Sequence, residues 1–263
     1  MNEEAVDSSY VCVYDLETQS TIASVPGRRR EDQIGNLQIS VLCAVTIPTR
    51  LAMDPLRSEE AMANAARHTF WRDDNSNPLG PFEKLLQLFD NADLICGYNI
   101  SGFDNIVMKK HYAGRRDRYY SHALKMHDCF CRIKDATGVW FKLDALLKAN
   151  GLETKTADGL EAIKMWQRGE RDRLADYCLT DTLQCARLML RKEIDLPGLG
   201  LRAKNHVFGI AAALASVQRS DQIAQAKEPS PFLLDDDSDT CPPPFKKAHV
   251  ACQEEEGKSS PML

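Results

Sequence analysis

No apolar run in the 263-residue chain approaches the roughly 18 residues that a membrane-spanning helix needs. The N-terminus, Met1-Asn2-Glu3-Glu4, lacks the basic and apolar regions of a secretory signal. These absences predict an intracellular protein, cytoplasmic or nuclear, with no membrane partner. Nine cysteines are present, an odd number, with no Cys-x-x-Cys pair. Cys129-x-Cys131 has no second pair to complete four ligands, which excludes a zinc ribbon and a disulfide framework. The cysteines read as buried thiols in a reducing compartment. His68, His111, His122 and His127 show no ligand spacing. There is no internal repeat. There is also no basic excess. The formal charge is −5, which at face value argues against a nucleic-acid partner.

What is present is the composition of a globular protein, 43% hydrophobic and 27% charged. The position of the charge matters more than its sum. Beyond residue 220 there are nine acids and four bases, whereas residues 1–220 hold 29 of each. That last stretch is polar and contains Pro242-Pro243-Pro244. The reading is therefore one domain over 1–220 and an acidic, disordered tail over 221–263. Such a tail has the character of a solubilising end or of a segment that binds a protein partner.

Within the domain, Tyr10–Glu17 reads as a buried strand and Gln38–Ile47 as a second, closed by Pro48. An antiparallel meander of the two is expected, with Arg67–Arg72 as a weaker third strand. Pro26, Gly27 and Gly35 mark 26–37 as a loop, and 73–81 is a turn cluster. Phe82–Phe89 has a helical stripe, Asp93–Tyr98 is a short strand, and Gly102 opens a helix to about His111. Leu143, Leu146 and Leu147 share a face of a short helix. Glu161–Trp166 and Leu174–Lys192 follow as helices, and Gly198–Val217 as a last packed segment. Asp128 and Asp144 are expected to cap helices. The fold class is α/β, a mixed sheet with helices on its faces, whose ligand site belongs at the carboxyl ends of the strands.

Three short motifs carry chemistry. Asp15 and Glu17 end the first strand, and side chains two apart on a strand share a face. Two acids so placed repel each other and shift each other's pKa, a conflict that a divalent cation resolves. Asp104 ends the run Gly97-Tyr98-Asn99-Ile100-Ser101-Gly102-Phe103-Asp104, at a helix start beside a strand end. Tyr177 and Asp181, four apart, stack on the inward face of a helix. Each motif alone has a plain structural reading. The first could be a solvated strand end, the second a helix cap and the third a Tyr–Asp hydrogen bond.

The set as a whole resembles the DEDDy group of 3′–5′ exonucleases, in the DnaQ-like branch of the RNase H-like fold. Its motifs, Asp-x-Glu, Asn-x-x-x-Phe-Asp and Tyr-x-x-x-Asp, are matched at 15–17, 99–104 and 177–181. The flanks of the second and third motifs resemble the proofreading domains of family B DNA polymerases, over roughly residues 8–195. The histidine variant of the group would need His at position 176, which is Asp176. About 80 residues follow the third motif, too few for a polymerase domain, so a stand-alone nuclease is expected.

The resemblance implies an RNase H-like mixed sheet flanked by helices and hydrolysis of phosphodiesters at a free 3′ end of single-stranded nucleic acid, DNA favoured. It implies two metal ions, Mg²⁺ or Mn²⁺, which suit hard oxygen ligands. Asp15 would bridge them, Glu17 and Asp181 would hold one, and Asp104 would help hold the other. Tyr177 would orient the attacking water, and Leu16, Thr18, Asn99 and Phe103 would touch the 3′ end. Arg28–Arg30 and the bases Lys109, Lys110, Arg115, Arg116 and Arg118 are expected along the phosphate track. The competing expectations are a 3′–5′ exoribonuclease and a catalytically silent nucleic-acid-binding or adaptor module on the same fold.

Overall fold

Val11-Cys12-Val13-Tyr14 is apolar at every position because the strand it belongs to, β1 (Tyr10–Thr18), is buried on both faces. In the computed structural model, which describes residues 9–74, 76–112, 114–154 and 159–226, β1 is the middle of a five-stranded sheet. Helix α1 (Arg30–Asn36) leads to β2 (Ile39–Pro48), then α2 (Thr49–Ala52), α3 (Ser58–Ala63) and β3 (Ala66–Trp71). Helix α4 (Glu83–Asn91) feeds β4 (Ala92–Gly97), followed by α5 (Asp104–Met108), α6 (Arg116–Leu124) and β5 (Met126–Asp128). Helices α7 (Cys129–Thr137), α8 (Leu143–Ala149), α9 (Gly159–Arg168) and α10 (Arg171–Leu190) come next. A hairpin of β6 (Glu193–Leu196) and β7 (Leu201–Lys204), then α11 (Asn205–Phe208) and α12 (Ile210–Ala226), complete the described chain.

The strand order is β3-β2-β1-β4-β5. The first three strands form the expected antiparallel meander, and β4 and β5 run parallel to β1. This is the expected α/β arrangement, a mixed sheet flanked by helices. The pleat of β1 sorts the core. Val11 and Val13 face a cluster that includes Leu146, Leu147, Leu188 and Phe208. Cys12, Tyr14 and Leu16 face Leu85, Leu86 and Phe89 of α4 and Val107 of α5. The register with β2 then decides the site. Asp15 lies opposite Cys43 and Glu17 opposite Val41, and those two residues pack under Leu174, Tyr177 and Cys178 of α10. Both acids therefore sit on the sheet face that α10 covers.

Several elements depart from the sequence reading. The segment 26–37 is not all loop, because Arg30–Asn36 is helical with only Ile34 buried. So short and polar a helix has no stripe to read. Helix α6 is likewise polar and is held by ion pairs instead. Arg115 and Arg118 bind Glu83, and Arg118 and His122 bind Asp90 of α4. Arg115 and Arg118 are thus engaged within the protein rather than ranged along a phosphate track. Asp128 does cap α7, whereas the N-cap position of α8 is Lys142, with Asp144 inside the first turn. Among the described cysteines six are buried and Cys131 is half-buried, all as thiols. Helix α12 continues to Ala226, past residue 220, and the tail from 227 on lies outside the described residues.

Candidate active site

The pairing of β1 with β4 stops at Val13–Cys96, while β1 runs on to Thr18. The two parallel strands diverge at their carboxyl ends, where an open α/β sheet presents its ligand crevice. The acids lie there. One carboxylate oxygen each from Asp15, Glu17 and Asp181 falls within 4.8 Å of the others. Asp15 and Glu17 are half-buried and Asp181 is 3% exposed. Asp181 reaches the group because α10 lies across β1 and β2, placing its inward stripe over the strand end.

Asp104 is brought alongside but not into that group of three. It starts α5, is 3% exposed, and its Oδ1 accepts a hydrogen bond from the Leu16 N–H at 3.2 Å. The divergence of β4 leaves that N–H open to a side chain. Burial, reinforced by the charge of Asp15, pushes the Asp104 carboxyl well above the usual carboxylate range. The Asp104 carboxyl thus feels the negative charge of Asp15, a member of the three-acid group. This is the electrostatic condition that a bound cation relieves. Hard carboxylate oxygens at this spacing fit Mg²⁺ or Mn²⁺ rather than a soft-ligand metal.

Two cavities meet at Asp15. One, about 330 Å³, is lined by Leu16, Thr18, Asn99, Phe103 and Asp104 together with Glu17. All four residues expected at the 3′ end are therefore gathered in one place. The other, about 430 Å³, holds Asp15 and Asp181 with Tyr98, Phe130, Trp140 and Lys142. Asp15, Tyr98 and Asn99 belong to both walls, so the cavities form two arms of one cleft. Tyr177 lies one turn before Asp181, but it is 5% exposed and packed with Val41, Cys43 and Met165, and it lines neither arm.

The loop between β4 and α5 is shaped by its own chemistry. Asn99 has φ 61°, the left-handed region that Asn tolerates better than most residues. Gly97 is required for space, because a Cβ there would meet Ile100 Cγ2 at 2.2 Å and the Tyr14 carbonyl at 2.9 Å. A Gly97→Ala change should destabilise the protein by about 1–3 kcal/mol through overpacking, read as a lower denaturant midpoint. Asp128 anchors the loop. Its Oδ1 accepts from the Asn99 N–H at 2.8 Å and its Oδ2 from the Ser101 N–H at 2.9 Å.

Phe130, Trp140, Lys142 and the anchoring role of Asp128 are absent from the sequence reading. No motif marks them, because each reaches the cleft through the fold of β5, α7 and the loop before α8.

No protein-family model matches the chain, and no curated protein is similar to it in sequence. Among solved structures, the chain is similar to the family B DNA polymerase of the hyperthermophilic archaeon Pyrobaculum calidifontis. The TM-score is 0.46 and the identity 16%, over 69% of this chain and 24% of the polymerase. It is also similar to exonuclease I, with TM-score 0.37 and 17% identity over 64% of this chain and 43% of that one. The zinc-bound complex of E. coli exonuclease I with single-stranded DNA gives TM-score 0.36 and 19% identity, over 64% of this chain and 42% of that one. The chain thus spans less than half the length of each of these proteins.

Proposed function

We propose that the chain is a metal-dependent 3′–5′ exonuclease that shortens single-stranded nucleic acid from its free 3′ end, with DNA the favoured substrate. The observation that carries this reading is the convergence of Asp15, Glu17 and Asp181 within 4.8 Å at the open end of β1, with buried Asp104 beside them. Asp15, Glu17, Asp104 and Asp181 would hold two divalent ions, Mg²⁺ or Mn²⁺. Bound there, such ions supply a nucleophilic water at neutral pH and neutralise the leaving 3′ oxygen.

The chain's own residues do the rest. Leu16, Thr18, Asn99 and Phe103 receive the terminal nucleotide in the smaller arm, where Phe103 can stack on a base of any identity. The scissile phosphate then lies at Asp15, the residue shared by both arms. Lys142 adds positive charge in the larger arm, where the strand continues. Tyr177, buried one turn before Asp181 and outside both arms, is assigned by its motif the orientation of the attacking water rather than the role of base. A Tyr177→Phe change should lower turnover about 10- to 100-fold while divalent cations still raise the melting temperature. Unchanged turnover would remove Tyr177 from the mechanism.

The deciding experiment uses 5′-labelled DNA and RNA oligomers of one sequence, incubated with Mg²⁺, Mn²⁺ or EDTA. Stepwise shortening from the 3′ end, faster on DNA and abolished by EDTA, is expected. Faster shortening of RNA would make the protein an exoribonuclease. No metal-dependent shortening of either would make it a binding module on this fold.

A further inference from the structure

Trp140 is unusual for a tryptophan in being 60% exposed. The chain's other two tryptophans, Trp71 and Trp166, are half-buried and lie against Arg171, whose guanidinium carbon is 5.0 and 3.9 Å from their ring centroids. Exposed as it is, Trp140 does not sit on a loose backbone. Helix α7 ends at Gly138 in the left-handed conformation, φ 72°. Just beyond, the Thr137 hydroxyl donates to the Ile133 carbonyl at 2.7 Å and accepts from the Val139 N–H at 3.2 Å. On the other side of Trp140, the Tyr98 hydroxyl donates to the Phe141 carbonyl at 2.6 Å, and the Phe141 side chain is buried in the core. Tyr98 is itself packed edge-on against Phe130, ring centroids 5.7 Å apart. The loop thus holds an apolar ring in water from both ends, at the mouth of the arm that contains Asp15 and Asp181.

We infer that Trp140, which lines the same arm as Phe130, is a stacking face for a nucleobase, and that the base it takes is the penultimate one at the 3′ end. The inference rests on the exonuclease reading. With the terminal nucleotide in the arm of Phe103 and the scissile phosphate at Asp15, the next nucleotide enters the arm of Trp140. Ring stacking is indifferent to base identity but needs a base free of its partner strand. The face therefore selects for single-stranded ends without selecting for sequence.

Two readouts test this on the full chain. The first is shortening, with Mn²⁺, of two DNA oligomers, one intact and one with an abasic residue at the penultimate position. In the wild-type protein the abasic oligomer should raise the half-saturating concentration about tenfold, the scale of one stacked base. Trp140→Ala should show that rise on the intact oligomer and no further rise on the abasic one, and Trp140→Phe should recover most of it. Wild-type behaviour of Trp140→Ala on the intact oligomer, or an equal added loss on both, would overturn the inference.

The second readout is quenching of tryptophan emission by the intact oligomer in EDTA. It should be present in the wild type and lost in Trp140→Phe. If quenching follows this pattern but the wild type shortens nothing, the exonuclease reading falls and the stacking face stands. If Trp140→Phe leaves quenching unchanged, or the wild type shows none, the face falls whatever the enzyme does.

Discussion

Replacing Asp15 and Glu17 together by alanine should lower metal-dependent shortening by at least about a thousandfold while leaving the fold intact. A bound cation's stabilisation of developing charge is worth several kcal/mol, and each tenfold in rate is about 1.4 kcal/mol. The expectation for stability runs the other way. The two acids share a sheet face beside buried Asp181 and Asp104, and the Asp15 charge already works against ionisation of Asp104. Removing the Asp15 charge relieves that repulsion and offsets the contacts the two carboxylates lose, so the melting temperature in EDTA should hold. Addition of Mn²⁺ should then separate the two proteins. At a hundredfold excess over its dissociation constant a ligand stabilises by about 2.7 kcal/mol, and the double variant should show no such gain. Shortening that survives in the double variant would place the chemistry elsewhere. A melting temperature that collapses in it would make the pair structural.

How much of this was legible in the sequence follows from which interactions are local. The strand alternation of β1, with Val11, Val13, Asp15 and Glu17 on one face, is local, and it placed the acids correctly. So is the four-residue spacing of Tyr177 and Asp181, which set them on one face of α10. The gathering of Asp15, Glu17 and Asp181 required a further step, the packing of α10 over Val41 and Cys43, which motif order could imply but not derive. The fourth acid shows the limit of that step. Asp104 meets the Leu16 N–H rather than the three-acid group, because β4 leaves β1 after Val13, and nothing local in either strand announces the divergence. The charge run after Asp104 misled for the same reason. Arg115 and Arg118 find Glu83 and Asp90, about 30 residues away, and only the docking of α6 on α4 shows it. Trp140 and Phe130 were silent because an isolated aromatic in sequence is core more often than surface.

Asp128→Ala should do the reverse of the Asp15–Glu17 pair, costing stability first and activity as a consequence. The carboxylate of Asp128 is 6% exposed and gathers four backbone donors from two segments. It accepts from Phe130 N–H at 3.1 Å and Cys131 N–H at 3.5 Å, as the cap of α7. It also accepts from Asn99 and Ser101, across the gap between β5 and the loop that carries Asn99, Phe103 and Asp104. Losing a cap alone costs about 1 kcal/mol. Stranding buried donors that had bonded the carboxyl oxygens adds about 1–3 kcal/mol for each that water cannot reach. A total of about 3–5 kcal/mol is expected, a large part of the 5–15 kcal/mol that holds an ordinary domain together. The melting temperature should fall by roughly 10 °C at the usual 2–4 °C per kcal/mol for a domain this size. Activity measured well below the new transition separates anchoring from folding. With the loop untied, Asn99 loses the bond that holds its left-handed conformation, and the half-saturating concentration should rise more than turnover falls. Asp128→Asn keeps one acceptor oxygen and turns the other position into a donor, so it should land between the two. If Asp128→Ala melts like the wild type, those four bonds do not anchor the loop. If it melts early yet binds substrate normally when folded, the loop keeps its shape without them.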